Sequence, residues 1–201
     1  MIRVISERQN LSERSLSMDN GASSYRRFRD TGDESALIEI IRDYMDGLIL
    51  YLSSIVGDIQ TAEELAEDTF VLLDTKKPKD KGGGSFKTWL YTIGRNIAID
   101  HLRRKKRRRE IPLDDAVSVS DPELEKSFIR EERKIILHTA INKLKPEYRQ
   151  VLWLIYFEGM TNKEAAAVMK KSVHNIETLV SRARKSLKKQ LETEGFDHED
   201  L

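Results

Sequence analysis

Apolar residues recur at intervals of three or four along most of the chain, and this spacing predicts α-helices. The first series runs from near Asp33 to Gly57, a residue type that commonly ends helices. Its apolar positions are Leu37, Ile41, Tyr44, Leu48, Leu52 and Ile55. No segment shows the alternating pattern of a strand. We therefore predict an all-α protein.

The second predicted helix begins at Thr61, because Thr61 and Glu64 have the spacing of a capping box. Its inner face would be Ala62, Leu65, Ala66, Thr69 and Leu73. A polar stretch, residues 76–85, separates it from a third predicted helix over residues 86–105.

Residues 110–120 have neither helical nor strand periodicity, so we expect a flexible linker there between two small helical domains. A helix is predicted for residues 121–144, and another begins at Pro146 and ends at Gly159. The expected organisation is a flexible N-terminal tail (1–24), a helical bundle (25–109), the linker (110–120), a second helical domain (121–192) and a C-terminal tail (193–201).

The second domain contains the layout of a helix-turn-helix. Thr161 and Glu164 form another predicted capping box, and an Ala-rich helix follows over residues 162–169. After a short connection, Ser172 caps a longer helix that extends to about Leu191. In a helix-turn-helix the second helix lies in the major groove of DNA.

The longer helix carries polar side chains on the face opposite its apolar positions. Near the N-terminus of a recognition helix, such groups can contact base edges or phosphates. An ordinary helical hairpin with a solvated face is the alternative, but the small residues 165–167 and the basic segment that follows favour DNA. The candidate residues are His174, Asn175, Glu177, Thr178, Ser181, Arg182 and Lys185.

The 201 residues include 35 Lys and Arg against 34 Asp and Glu, a formal net charge of +1. This total alone would argue against nucleic acid as a partner. The charges are segregated, however: residues 31–75 contain eleven acids and a single base, Arg42, whereas residues 103–109 are seven consecutive cations. Such segregation indicates different partners for different segments.

Like charges are stacked along the predicted second helix. Glu63 and Glu67 are four residues apart, as are Glu64 and Asp68. Each such pair destabilises an isolated helix by about 0.2–0.5 kcal/mol. The stripe is therefore consistent with a basic protein partner, and a merely solvated face is the alternative.

The run of cations at 103–109 would attract phosphates, and Trp89 and Tyr91 upstream could stack on unpaired bases. An unspecific basic tail and a core tryptophan are the corresponding alternatives.

Several functional classes have no support in the sequence. The chain has no cysteine, its four histidines are scattered, and no catalytic constellation is evident, so we expect neither an enzyme nor a metal site or cofactor. Residues 82–88 resemble a phosphate-binding loop, but Phe86 precedes Lys87 where that motif requires glycine. The apolar run 151–157 is too short to span a membrane and no secretory signal is evident, so a cytoplasmic location is expected.

Over about residues 25–191 the chain resembles bacterial RNA polymerase sigma factors of the extracytoplasmic-function (ECF) type. Gly57-Asp58, TAEELAEDTF (61–70) and FKTWLYTIGRNIAIDHLRR (86–104) resemble sigma region 2. Residues 140–166 and 172–187 resemble region 4. Two separate signatures in the same order as in the family make the resemblance specific.

The resemblance implies a subunit without catalytic activity that binds core RNA polymerase and promoter DNA, with an anti-sigma factor as a further candidate partner and no small-molecule substrate. The implied polymerase-binding residues are Asp58, Glu63, Glu64, Leu65, Glu67, Asp68 and Phe70. The implied −10 residues are Lys87, Thr88, Trp89, Tyr91, Arg95, Asn96, Arg103 and Arg104, and the loop 76–85 would capture a flipped base. The implied −35 residues are Lys163, Ser172, Val173, His174, Asn175, Glu177, Thr178, Ser181, Arg182 and Lys185.

Some positions depart from the family pattern. Asp74 stands where Trp is usual, Lys170 replaces a turn glycine, and Glu177 and Leu179 replace common cations. The last two suggest an unusual promoter. A stand-alone helix-turn-helix regulator that binds duplex operator is the competing interpretation, and a nucleic-acid enzyme is a third.

Overall fold

A computed structural model describes the backbone of residues 11–80, 84–109 and 140–193, and the side chains of residues 20–80, 84–107 and 140–193. These parts of the chain form α-helices and contain no strand. The helices are α1 (Leu11–Thr31), α2 (Glu34–Val56), α3 (Ile59–Lys76), α4 (Phe86–Arg109), α5 (Pro146–Leu152), a π-helical segment (Trp153–Phe157), α6 (Asn162–Met169) and α7 (Val173–Thr193). The predicted linker 110–120 and the predicted helix up to residue 139 lie outside the described residues.

Helix α1 replaces much of the predicted N-terminal tail, so that expectation is corrected for residues 11–24. The helix packs closely on the bundle, because a Cβ at Gly21 would lie 2.5 Å from the Tyr44 hydroxyl and 2.7 Å from Phe86 Cδ1. Tyr25 and Phe28 are each only 2% exposed. The prediction failed because Tyr25 and Phe28, the large buried apolar residues among the described side chains of this helix, lie close together, which leaves too few turns to show a period.

Helix α2 begins and ends where the sequence predicts. The Asp33 carboxylate accepts a hydrogen bond from the Ser35 amide at 3.0 Å, and Gly57 has the left-handed φ of 80° that ends the helix. Helix α3 begins earlier than predicted, because Asp58 is its N-cap and accepts from the Thr61 amide at 2.8 Å. The predicted cap at Thr61 is therefore wrong. The predicted inner face of α3 is buried as expected.

In the second half, Pro146 occupies the first turn of α5, and the chain then widens into the π-helical segment. Gly159 follows with a φ of 64°, which confirms the predicted left-handed terminator. Lys170 adopts a φ of 54° at the end of α6, the conformation for which glycine is the favoured residue.

The buried side chains of both halves form one continuous cluster among the described residues. Helix α4 packs against α1, α2 and α3 of the first half and against α6 of the second, while α2 also contacts α5. The second half therefore lies directly on the first.

Candidate DNA-binding and polymerase-binding surfaces

The helix-turn-helix is present at the residues where the sequence predicts it. The Thr161 hydroxyl accepts from the Glu164 amide at 3.2 Å, and the Glu164 carboxylate accepts from the Thr161 amide at 2.9 Å, so the predicted capping box is confirmed. The Ser172 hydroxyl accepts from the Asn175 amide at 3.2 Å and caps α7 as predicted. These caps fix where the two helices begin and hence which side chains face outward.

The inner face of α7 is apolar and buried. Ile176, Ala183, Leu187 and Leu191 are buried, and Val180 is half-buried. The opposite side is open along most of the helix, and the N-terminal turn is exposed. The exposed candidate residues are Lys163 on α6, Ser172 before α7, and Val173, His174, Asn175, Glu177, Ser181, Arg182 and Lys185 on α7, while Thr178 is half-buried.

The electrostatics of α7 favour an anionic ligand towards its C-terminal half. Arg182, Arg184 and Lys185 are exposed within one turn of one another. Nearer the N-terminus, His174 Nδ1 lies 3.9 Å from a Glu177 carboxylate oxygen, and their side chains are 88% and 55% exposed. The N-terminal end of α7 can therefore donate hydrogen bonds to base edges and accept hydrogen bonds from them, whereas the cations in its C-terminal half can contact phosphates.

The acidic stripe of α3 faces away from the core. Glu64, Glu67 and Asp68 are exposed, and Glu63 is half-buried. Leu65 and Phe70 are each only 4% exposed, so these two predicted polymerase-binding residues lie in the core. They would act by packing the helix that carries the stripe, not by contacting polymerase.

Asp58 caps α3 and is half-buried, and it accepts hydrogen bonds from both the amide and the hydroxyl of Thr61. Its role in this structure is to fix the start of the helix that carries the stripe.

Val71 is a surface residue that the sequence reasoning missed. Its side chain is 57% exposed, although it is large and apolar. It lies three and four residues after Asp68 and Glu67, so it continues the acidic stripe along one face of α3. An apolar residue at a position where the helical period demands a polar one was the signal that could have revealed it.

Helix α4 places the candidate −10 residues in very different environments. Arg103 and Arg104 are exposed, while Lys87, Trp89, Arg95 and Asn96 are half-buried. Thr88 is 6% exposed and Tyr91 is fully buried. The structure therefore does not bring all eight predicted residues onto one open face.

Trp89 belongs to an aromatic cluster in which it joins α4 to α1. Its ring centroid lies 5.0 Å from that of Tyr25 and 5.5 Å from that of Phe86. Burial raises the pKa of Tyr25 to about 12, and its hydroxyl donates to the Pro78 carbonyl at 2.7 Å. Through Tyr25, the cluster therefore holds the start of the loop between α3 and α4.

No helix in the described ranges is long and apolar enough to cross a membrane. Within those same ranges, His, Asp and Glu side chains do not gather in groups of three or more that could hold a metal ion.

Comparison with known families accounts for both halves. The family model for sigma-70 region 2 matches residues 40–108, and that for sigma-70 region 4 matches residues 134–187. The RNA polymerase sigma-H factor of Pseudomonas aeruginosa is 28% identical over 174 residues, which cover 80% of this chain and 89% of that protein. The ECF RNA polymerase sigma factor SigW of Bacillus subtilis is 28% identical over 172 residues, 80% of this chain and 91% of that one.

Solved structures share the fold. The sigma factor RpoE of Bartonella quintana, solved in complex with the anti-sigma factor NepR, matches with a TM-score of 0.60 at 23% identity and covers 77% of this chain and 95% of that one. CnrH, solved with the cytosolic domain of CnrY, gives a TM-score of 0.60 at 21% identity, with coverages of 88% and 97%. Matches to sigma regions 2 and 4 in chain order, with ECF relatives aligned over most of their own lengths, show that this chain belongs to the RNA polymerase sigma factors of the ECF type.

Proposed function

We propose that this sigma factor directs core RNA polymerase to its promoters by reading the −35 element with α7 and opening the −10 element with α4. The observation that carries the proposal is the pair of region 2 and region 4 matches together with the capped, outward-facing polar surface of α7. Sigma factors are transcription initiation factors and not a known enzyme family, so we propose that the chain itself performs no catalysis. It would act in the cytoplasm, where bacterial polymerase and promoter DNA are found.

The −35 step is assigned to the exposed polar residues of α7. His174, Asn175 and Glu177 are exposed at the N-terminal turn, the part of a recognition helix that contacts base edges. A carboxylate such as that of Glu177 can accept from the N4 amino group of cytosine, whereas a cation cannot. We therefore propose that Glu177 contributes to an atypical −35 preference.

The −10 step is assigned to α4 and to the chain before it. Flipping a base out of the duplex costs a few kcal/mol, and contacts to the freed base offset this cost. Arg103 and Arg104 are exposed and can hold the phosphates of the upstream duplex. Trp89 and Asn96 are half-buried. They would contact bases only at the fork, where the upstream duplex meets the melted DNA.

The polymerase contact is assigned to the acidic stripe of α3 together with Val71. Exposed carboxylates at Glu64, Glu67 and Asp68 would attract a basic surface, and the exposed Val71 adds apolar contact area. An anti-sigma factor is proposed as a further partner, on the basis of family membership.

The test is run-off transcription with purified core polymerase and a promoter library. We expect the protein to select and open a subset of promoters, with permanganate-reactive thymines in the −10 region. A protein that binds duplex operator tightly but opens no promoter with core would contradict the proposal. A stand-alone regulator is not favoured, because residues 40–108 match sigma region 2.

A further inference from the structure

The contact between the two halves covers part of the proposed −10 surface. We define the interdomain contact as Ser85, Lys87, Thr88 and Tyr91 of the first half with Glu158 and Glu164 of the second. Three of the four residues from the first half are candidate −10 residues.

Lys87 and Glu158 form the charged centre of this contact. The Lys87 ammonium lies 2.6 Å from a Glu158 carboxylate oxygen, and their side chains are 25% and 10% exposed. The same ammonium donates to the Glu158 backbone carbonyl at 2.9 Å. Because the pair is largely desolvated, loss of one partner would leave the other charge poorly solvated, which disfavours the closed arrangement.

The Glu158 carboxylate reaches this position because α2 has a glycine there. A Cβ on Gly47 would lie 2.7 Å from Glu158 Oε1 and 2.6 Å from the Tyr91 hydroxyl. Burial raises the pKa of Tyr91, and the nearby negative charge of Glu158 raises it further. The carboxylate is thus inserted between α2 and α4. Glu158 directly follows the π-helical segment, and its backbone amide donates to the Trp153 carbonyl at 3.0 Å.

Glu164 makes a second link between the halves while it caps α6. One carboxylate oxygen accepts from the Thr161 amide at 2.9 Å, and the other accepts from the Ser85 hydroxyl at 2.9 Å and the Thr88 hydroxyl at 3.4 Å. The same side chain therefore orders the helix-turn-helix and attaches it to α4.

We propose that the protein, before it binds polymerase, populates a closed state in which the second half covers Lys87, Thr88 and Tyr91. The contact of Glu158 with Lys87, which we call the latch, contributes most to holding this state closed. In this state α7 keeps its outward face exposed while the first turns of α4 are covered. The chain must therefore open before promoter bases reach this part of α4. The existence of the closed state is independent of the proposed function, but its regulatory consequence rests on it.

The first experiment measures opening in the full-length protein. Because the chain has no cysteine, exposed Asp74 and Lys188 can each be replaced by cysteine and spin-labelled, one label in each half. Electron–electron distance measurements then report the closed and open populations. Glu158→Gln should raise the ratio of open to closed chains about tenfold, the effect of losing one charge-assisted hydrogen bond.

Glu147→Gln is the matched control, because Glu147 pairs with Lys171 within the second half at 2.9 Å and takes no part in the interdomain contact. We expect its distance distribution to equal that of the parent. The charge swap Lys87→Glu with Glu158→Lys should restore the closed population that Lys87→Glu alone removes. Identical distributions for the parent, Glu158→Gln and Lys87→Glu would overturn the latch.

The second experiment tests the consequence. At limiting core polymerase, Glu158→Gln should form promoter-opening holoenzyme several-fold faster than Glu147→Gln, with the same choice of promoters. Equal rates, despite a measured increase in open chains, would overturn the regulatory role. If no variant opens a promoter, the proposed function fails, while the distance measurements still decide whether the closed state exists.

Discussion

Thr161 and Glu164 satisfy each other's backbone groups at the start of α6: each side chain accepts a hydrogen bond from the other residue's amide, at distances of 2.9 and 3.2 Å. Two of the donors that a helix N-terminus leaves unpaired are thereby used. Because Glu164 also accepts from Ser85 and Thr88, the pair links the local structure of the helix-turn-helix to its place on the first half.

Removal of the cap should destabilise the protein. We expect Thr161→Ala to lower the free energy of unfolding by about 1 kcal/mol, a typical value for loss of an N-cap side chain. Urea unfolding followed by circular dichroism measures this change. Thr161→Ser keeps the hydroxyl and should behave like the parent, so equal losses in the two variants would contradict the capping role.

The same carboxylate should make stability depend on pH. Burial alone would raise the pKa of Glu164, but hydrogen bonds from Thr161, Ser85 and Thr88 outweigh it and hold the pKa below its ordinary value of 4.5. Since the folded-state pKa is the lower one, the contribution is complete above pH 4.5 and is lost as the pH falls through the folded-state pKa.

The parent should therefore be more stable than Glu164→Gln at neutral pH, and this difference should shrink below pH 4.5. Urea unfolding on both sides of that pH is the measurement.

Charge reversal on the acidic stripe should weaken assembly with polymerase. We expect Glu64→Arg with Asp68→Arg to reduce affinity for core by at least tenfold, because two exposed attractions become repulsions. Fluorescence anisotropy with labelled protein measures this affinity. The control is Glu34→Arg with Asp46→Arg, which makes the same change of net charge at exposed positions of α2. Equal losses in both variants would mean that only net charge matters.

Arg182 distinguishes base reading from phosphate contact. If its exposed guanidinium contacts a guanine edge through two hydrogen bonds, Arg182→Ala should weaken binding to the preferred −35 element by about 1–3 kcal/mol. The same substitution should weaken binding little when that guanine is replaced by another base. If it contacts only phosphate, the loss should be uniform across sequences and the salt dependence should decrease. Holoenzyme binding to a −35 library at several salt concentrations separates the two results.

The packing of α1 can be tested at Gly21. Although alanine favours helices by about 1 kcal/mol over glycine, a Cβ here would lie 2.5 Å from the Tyr44 hydroxyl. We expect Gly21→Ala to destabilise the protein by about 1–3 kcal/mol, as overpacking does. The exposed neighbour Asn20 provides the control, since Asn20→Ala meets no such obstacle. A stable Gly21→Ala variant would show that α1 is not packed on the bundle.

The sequence by itself determined most of the local structure. Helix α2 begins after Asp33 and ends before Gly57, and α6 spans residues 162–169, as the periodicity and caps predict. These features depend on neighbours within one turn, so the sequence pattern contains nearly all of the information needed. The same holds for the apolar inner face of α7, which leaves its polar residues outside.

Other features were decided only by the tertiary structure. Asp58 competes with Thr61 for the cap of α3, and the choice depends on how the chain leaves α2. Tyr91 was predicted to be available for stacking on bases but is buried. Glu158, which no pattern in the sequence singles out, pairs with Lys87, 71 residues earlier in the chain. Such contacts join residues far apart in sequence, and neither spacing nor residue type fixes which of them meet, because the packing of whole helices brings them together.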